Sequence, residues 1–416
     1  MKYLAVLGRL EKLSIAELES QFTEVEPLLE RGAKLRQSSP KLATFHSNFR
    51  PDINRFGGVL KFAEELPEGS NCLIDSLANL PEGKITLGVS DFRHNATART
   101  AQSEALKLKK ILARRGRSIR VLENKTAVLS TATSHHNQLS EKKNHLEILL
   151  TDFGTFNLIG VQNITAYKNR DQARPARDAK VGMLPPKLAQ ILINLCGYLP
   201  EGSRLLDPFC GTGVVLQEAA LLGYIPFGSD LNSRMVEYTE KNLDWLAHNT
   251  HHKDEFEADY FLDRVRSGEI YEGDATTFNW LQRFAIDAVA SEVFLGQPMS
   301  QPPADIKLKQ EKLRCKEIIL GFLKNLAPQI GREGLGMPEP SPELEAEGRG
   351  WEGTPVVLAV PAWLRPNGTY SRLNILDEVE KLGYNVKKFI NVGPEDLLYY
   401  REGQIVARDI IVLRKK

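Results

Sequence analysis

Apolar positions fall in short runs along this 416-residue chain, and two rhythms follow one another. In the front part, YLAVLG near the start, Leu73-Ile74, Ile85-Thr-Leu-Gly-Val89, Ile119-Arg-Val-Leu122, Leu146-Glu-Ile-Leu-Leu150 and Phe156-Asn-Leu-Ile-Gly-Val161 have the alternating or β-branched content of strands. Ser14-Ile-Ala-Glu17 has the form of a capping box opening a helix. Residues 101–115 read as a second helix, ended by Gly116, with Lys107, Lys110 and Arg114 on one face. Elements mixed in this order predict an α+β front region.

Around residue 165 the pattern breaks. Tyr167 to Pro186 reads YKNRDQARPARDAKVGMLPP, basic, with three prolines and no clean period, so it predicts a linker or a functional loop. From Pro186 the chain runs helix, strand, Gly-rich turn, helix, strand, the rhythm of a parallel α/β sheet. GREGLGMPEPSPELEAEGRGWEGT interrupts that rhythm and predicts a mobile surface insertion over 331–355. The expected division is 1–165, a basic linker at 166–185, and 186–416.

Composition narrows the class. Hydrophobic residues at 42% and charged residues at 26% exclude a largely disordered or fibrous chain. No apolar run approaches the ~18–20 residues of a membrane span, and the N-terminus lacks the apolar core and cleavage site of a secretion signal. The cysteines Cys72, Cys196, Cys210 and Cys315 make no CxxC pair and no zinc spacing. The expectation is a cytoplasmic protein without a metal site. The net charge of +1 hides an asymmetry: residues 84–125 hold eleven Lys/Arg against three Asp/Glu, and 167–187 hold six against two. A polyanion partner would sit there; a solvated charged face is the plain alternative.

The strongest chemical signal is Arg204-Leu-Leu-Asp207-Pro-Phe209-Cys-Gly211-Thr-Gly213. A short strand ends on an acid, and two glycines turn the chain into the helix from Val214. Such a turn lets backbone approach a ligand and presents free N–H groups. A dinucleotide site would want GxGxxG, but Leu216 stands where its last glycine belongs. Asp207 would repel phosphates, whereas it could meet a positively charged amino-acid moiety. Next, Tyr224-Ile-Pro-Phe-Gly-Ser-Asp230 ends a second strand on an acid able to accept both hydroxyls of a ribose. Ile270-Tyr-Glu-Gly-Asp274-Ala275 gives a third, suited to an adenine amine. Each of the two later acids could instead be a helix cap. As an ordered trio they describe a pocket for S-adenosylmethionine.

DPFCGTG, GSD and EGDA resemble motifs of class I methyltransferases that act on exocyclic amines of bases. YLAVLGRLEKLSIAELES and RPARDAKVGMLPPKLAQILINL narrow this to a resemblance to the THUMP-domain tRNA guanine-N2-methyltransferases, the tRNA guanosine-10 type. The resemblance implies a ferredoxin-like plus THUMP RNA-binding module ahead of a Rossmann-like α/β catalytic domain. It implies S-adenosyl-L-methionine as cofactor, tRNA as substrate and, in some members, a small activating subunit. Carried onto this chain, the cofactor set is Asp207, Phe209, Gly211, Gly213, Asp230, Leu231, Asp274 and Ala275.

Such enzymes carry a D/N-P-P-Y/F signature, in which an acid or amide and a carbonyl accept hydrogens of the amine and an aromatic ring stacks on the base. Here the matching stretch, Asp287-Ala-Val-Ala-Ser291-Glu292-Val293-Phe294-Leu295-Gly296, places Glu292 on the acid and Val293 on the first proline, with Phe294 one residue early. Ser291, Glu292 and Phe294 are the catalytic candidates, with Asp287 or a backbone carbonyl as the substitute for Glu292. Both prolines are gone. Three functions stay open: the RNA guanine-N2-methyltransferase, a non-catalytic tRNA- and cofactor-binding protein, and an amino-methyltransferase acting on DNA adenine. RNA contacts are expected from Lys107, Lys110, Arg114, Arg115 and Arg117, and from Arg174 and Arg177 in the linker. The linker arginines could instead only hold the linker to the catalytic domain.

Overall fold

Buried apolar runs set the strands, and the sheets they form divide the chain into two units, Met1–Tyr167 and Lys168–Lys416. The computed structural model describes residues 1–28, 41–67, 70–178, 183–250, 255–331 and 353–415.

The first unit holds β1 (Lys2–Leu7), α1 (Glu11–Gln21), β2 (Thr23–Leu28), β3 (Leu42–His46), β4 (Val59–Glu65), α2 (Ser70–Ala78), β5 (Ile85–Asp91), α3 (Ala98–Arg114), β6 (Ile119–Val121), α4 (Thr131–His136), β7 (His145–Thr151) and β8 (Gly154–Val161). Its sheet runs β2-β3-β1-β4-β8-β7-β5-β6, antiparallel except for the parallel β7-β5-β6 edge. Stacked and edge-on rings of Phe22, Phe45, Phe56 and Phe62 fill one part of its core.

Two expectations are corrected here. Leu73-Ile74 is not a strand but part of α2, where Ile74 and Leu77, three apart, turn one helical face inward. Ser14 and Glu17 do not cap α1, which starts earlier, at Glu11. Both are buried inside the helix, where Ser14 Oγ donates to the Gly58 carbonyl and the Glu17 carboxylate accepts the N–H groups of Gly57 and Gly58. The strands β2, β3 and β4 went unread in the sequence.

Part of the stretch read as linker is a helix, α5 (Ile164–Gln172). The second unit continues with α6 (Pro186–Leu195), β9 (Arg204–Asp207), α7 (Val214–Leu221), β10 (Ile225–Asp230), α8 (Ser233–Asn249), α9 (Glu255–Ser267), β11 (Ile270–Glu272), β12 (Ala288–Glu292), α10 (Asp305–Leu326), β13 (Thr354–Leu364), β14 (Tyr370–Ser371), α11 (Leu376–Lys381), β15 (Tyr384–Val386), β16 (Leu398–Tyr399) and β17 (Val406–Lys415). Its main sheet runs β11-β10-β9-β12-β13-β17-β15. The first five are parallel, and β17 runs antiparallel between β13 and β15. Counted within the sheet this is the order 3-2-1-4-5-7-6. Residues 332–352, most of the predicted insertion, lie outside the described residues. No described helix is long and apolar enough to cross a membrane.

The chain leaves β9 toward β10 on one side and returns with β12 on the other. The carboxyl ends of β9 and β12 therefore flank the switch point, where open α/β sheets leave a crevice for ligands.

Candidate active site

Asp207 closes β9 and is almost fully buried. Its Oδ1 accepts the Phe209 N–H at 3.1 Å and the Ser291 hydroxyl at 2.6 Å. Ser291 thus links the β12 end to the β9 end. Burial pushes the Asp207 carboxyl up to about 7, with the Ser291 and Phe209 hydrogen bonds opposing and the charges of Asp230 and Glu292 pushing further upward. Three acids are close enough to repel one another, an arrangement that suits a cationic guest.

The glycines do what the sequence requires of them. Gly213 has φ +79°, and a Cβ there would come within 2.8 Å of the Thr239 side chain; Gly211 has φ +53°. Thr239 Oγ1 donates to the Gly211 carbonyl at 2.9 Å, and Asn242 Nδ2 donates to the Thr212 carbonyl at 2.8 Å. These two α8 residues hold the turn, and the sequence reading missed both.

Asp230 ends β10. One carboxylate oxygen accepts the Gly211 N–H and the other the Asn232 N–H, both at 2.9 Å. A carboxylate offers about four lone-pair directions, so two remain for a ligand. Burial raises its pKa. Leu231 follows with 73% of its surface exposed, an apolar face beside the acid. Asp274 is exposed, and its Oδ1 accepts both the N–H and the hydroxyl of Thr276, so it caps a turn while Oδ2 meets no partner among the described residues. Ala275 packs in the core, with its carbonyl accepting from Asn325. Phe209 lies edge-on to Phe322. An acid with two open lone-pair directions, an exposed apolar side chain beside it and a glycine turn fit the ribose, adenine and amino-acid ends of S-adenosylmethionine.

Glu292 ends β12 and does not stand alone. Arg408 on β17 donates from Nε to Glu292 Oε1 at 2.6 Å, with both side chains largely buried. Burial raises the Glu292 pKa, while Arg408 opposes the rise. Arg408 was missed in the sequence, although an Arg-Asp pair inside an otherwise apolar strand was a visible anomaly. Val293 is buried and donates its N–H to the Ala359 carbonyl, a bond that a proline could not make. Phe294 packs partly buried on the core, with the Arg314 guanidinium 5.0 Å from its ring centre. Asp287 cannot substitute for Glu292: it clamps Arg204 through both carboxylate oxygens at the opposite end of β12, about 17 Å away at ~3.3 Å per residue.

The arginines after Tyr167 are corrected in part. Arg174 is 2% exposed, with Nη2 on Met183 Sδ and with Nε and Nη1 lacking partners among the described residues. A buried guanidinium cannot track phosphates from the surface. Arg170 forms a two-pronged pair with buried Glu218 of α7, and Asn242 bonds both the N–H and the carbonyl of Ala176. The segment is therefore stitched to the glycine-turn helix. Arg177 is exposed. In the first unit, Arg115 pairs with Asp75, Arg117 donates to the Leu80 and Pro81 carbonyls, and Lys107 pairs with Glu104 at 3.2 Å. Lys110 and Arg114 are exposed on α3 with no partner among the described residues.

Comparison with known proteins meets this geometry. Residues 174–253 match the UPF0020 family, described as RMKL-like, methyltransferase domain. Over 75 residues the chain is 48% identical to a tRNA (guanine(10)-N2)-dimethyltransferase of Methanothermobacter thermautotrophicus, covering 18% of this chain and 22% of that protein. Over 63 residues it is 46% identical to the enzyme of the same name from Methanocaldococcus jannaschii, covering 15% and 18%. The matched stretch thus spans about a fifth of the length of these relatives. Among solved structures, a predicted N6-adenine-specific DNA methylase from Listeria monocytogenes aligns over 91% of this chain and 90% of its own, at 12% identity and TM-score 0.36. Residues 174–253, which hold the glycine turn and Asp230, thus match a methyltransferase-domain family, within a unit whose strand order is that of a Rossmann-like α/β sheet.

Proposed function

We propose that this protein transfers a methyl group from S-adenosylmethionine to the exocyclic N2 amine of a guanosine in tRNA, position 10 being the one its relatives' names carry. The observation that carries the reading is the convergence of Asp207, Ser291 and Glu292 at the switch point, in a chain whose cofactor segment matches tRNA guanine-N2 enzymes.

When bound, the cofactor supplies a methyl group on a positively charged sulfur. Asp230 would hold the ribose hydroxyls through its open lone-pair directions, and Leu231 and Asp274 Oδ2 would serve the adenine end. Asp207 would face the cationic amino-acid end. The guanine amine is a poor nucleophile because its lone pair is delocalised into the ring. Glu292, whose burial strengthens it as a base, accepts a hydrogen of that amine and takes up the proton as positive charge develops on nitrogen. Loss of the prolines does not by itself favour a non-catalytic binder, because the acid remains at the strand end and Val293 uses its N–H in the sheet.

Transfer of radiolabelled methyl to unmodified tRNA, with the product nucleoside identified by mass spectrometry, tests the reading. N2-methylguanosine is the expected product. Turnover should fall from wild type to Glu292→Gln to Glu292→Ala, the last by ~10²-fold or more. A wild-type protein inert on every tRNA, or a Glu292→Ala variant of near-normal turnover, overturns it.

A further inference from the structure

Arg408 is 5% exposed, yet only one of its five N–H donors is bonded by a side chain or backbone among the described residues, the Nε–H that meets Glu292. Neither Nη group belongs to the fully enclosed, partnerless atoms, so both reach the accessible surface beside the Glu292 carboxylate. Glu292 Oε2 is likewise open and unpartnered among the described residues. Two half-buried arginines of the same unit differ: Arg204 turns both Nε and Nη2 onto Asp287, and Arg372 turns both Nη groups onto Asp409 and the Pro394 and Glu395 carbonyls. At the end of β12, then, an open acceptor and open donors stand side by side, held together by a 2.6 Å bond.

Guanine presents a matching edge. Its N2 and N1 carry donors, and O6 next to them is an acceptor. We propose that Arg408 is a specificity-determining residue of the proposed reaction: its Nη groups donate to O6 of the target guanine while Glu292 accepts from the N2 and N1 hydrogens. The inference rests on the guanine-N2 reading above and adds the group that recognises the base. Adenine offers a donor where Arg408 also donates, and an acceptor where Glu292 accepts. Uracil keeps the carbonyl and the ring N–H but has an acceptor where guanine has its amine, and cytosine reverses the pattern throughout. An arginine fork suits O6 because it serves the carboxylate and the base together from one rigid plane, which a lysine ammonium cannot do.

The test uses tRNA in which the methylated guanosine, once mapped with wild-type protein, is replaced by 2,6-diaminopurine riboside. This analogue keeps the N2 amine but carries a donor at C6 and no N1 hydrogen. Wild type should prefer guanosine in kcat/KM by about 100-fold or more. Arg408→Lys keeps a cation on Glu292 and should shrink that preference at least about tenfold, by losing turnover on guanosine and not on the analogue. Unchanged affinity for S-adenosylmethionine in calorimetry reports that the variant is folded; Arg408→Gln, which keeps an amide donor, replaces it otherwise. If both variants slow the two substrates by the same factor, Arg408 only holds Glu292 and the inference falls. If wild type methylates no guanosine, the underlying reading falls with it.

Discussion

Asp207 is poised to report the arrival of a cation. Its pKa, pushed up to about 7 by burial, must fall when a positively charged amino-acid moiety comes alongside. Binding of S-adenosylmethionine between about pH 6 and 7 should therefore release protons and tighten as pH rises toward 7. Calorimetry in buffers of different ionisation enthalpy measures the release, and Asp207→Asn should abolish it. Asp230→Ala removes an acceptor that also holds the Gly211 N–H, and should weaken cofactor binding by about 1–3 kcal/mol, roughly 5- to 150-fold. Wild-type affinity in that variant would move the ribose elsewhere. The pair on β12 and β17 adds a condition to the Glu292 series. Glu292→Ala leaves a buried Arg408 without its partner, at a cost on the order of 3 kcal/mol, so its melting temperature should drop while Glu292→Gln, still an acceptor, stays closer to wild type.

At the scale of elements, the RNA contact expected of the first unit falls on α3. Arg115 and Arg117 are spent on Asp75 and on the Leu80 and Pro81 carbonyls, which leaves Lys110 and Arg114 facing solvent. Reversing both to Glu should weaken tRNA binding, make the remaining binding less dependent on salt, and leave cofactor affinity unchanged. Filter binding across a salt series checks it; an unmoved affinity would shift the RNA surface off α3. The same elements show what could be read in advance. The Asp207–Gly213 turn and Asp230 were legible because strand, turn and helix cap are written in adjacent residues. Ser14-Ile-Ala-Glu17 misled because its real partner, the Gly57-Gly58 backbone, lies some forty residues on. Arg174 looked like a phosphate contact for the same reason. Its charge is local information, whereas its burial appears only once the chain has folded. Arg408 stood out as a charge in an apolar strand, but its partner could not be read, because Glu292 lies 116 positions away.

Across the whole molecule, burial of acids sets the response to pH. Asp207 at about 7 and Asp409 at about 6 both titrate above the ordinary carboxylate value when folded, again because burial disfavours the charged form. The folded state then binds more protons than the unfolded chain between about pH 4 and 7, so these groups contribute stability that is lost as pH rises through that window. Denaturant unfolding of wild type and Asp207→Asn from pH 5 to 7 should show the wild type losing more. Equal slopes would mean that Asp207 is charged throughout.

The placement of β17 has a consequence for the order in which the protein is made. This strand fills the gap between β13 and β15, in register with β13 from Thr354–Lys415 to Trp363–Val406, and it brings Arg408 to Glu292. Until residues 406–415 have left the ribosome, the long apolar β13 has no neighbour on one side, and an unpaired edge of that kind invites pairing with other chains. A nascent chain halted before Val406 should therefore be held by chaperones or aggregate, and its Glu292 would lack Arg408 even if the glycine turn has already formed.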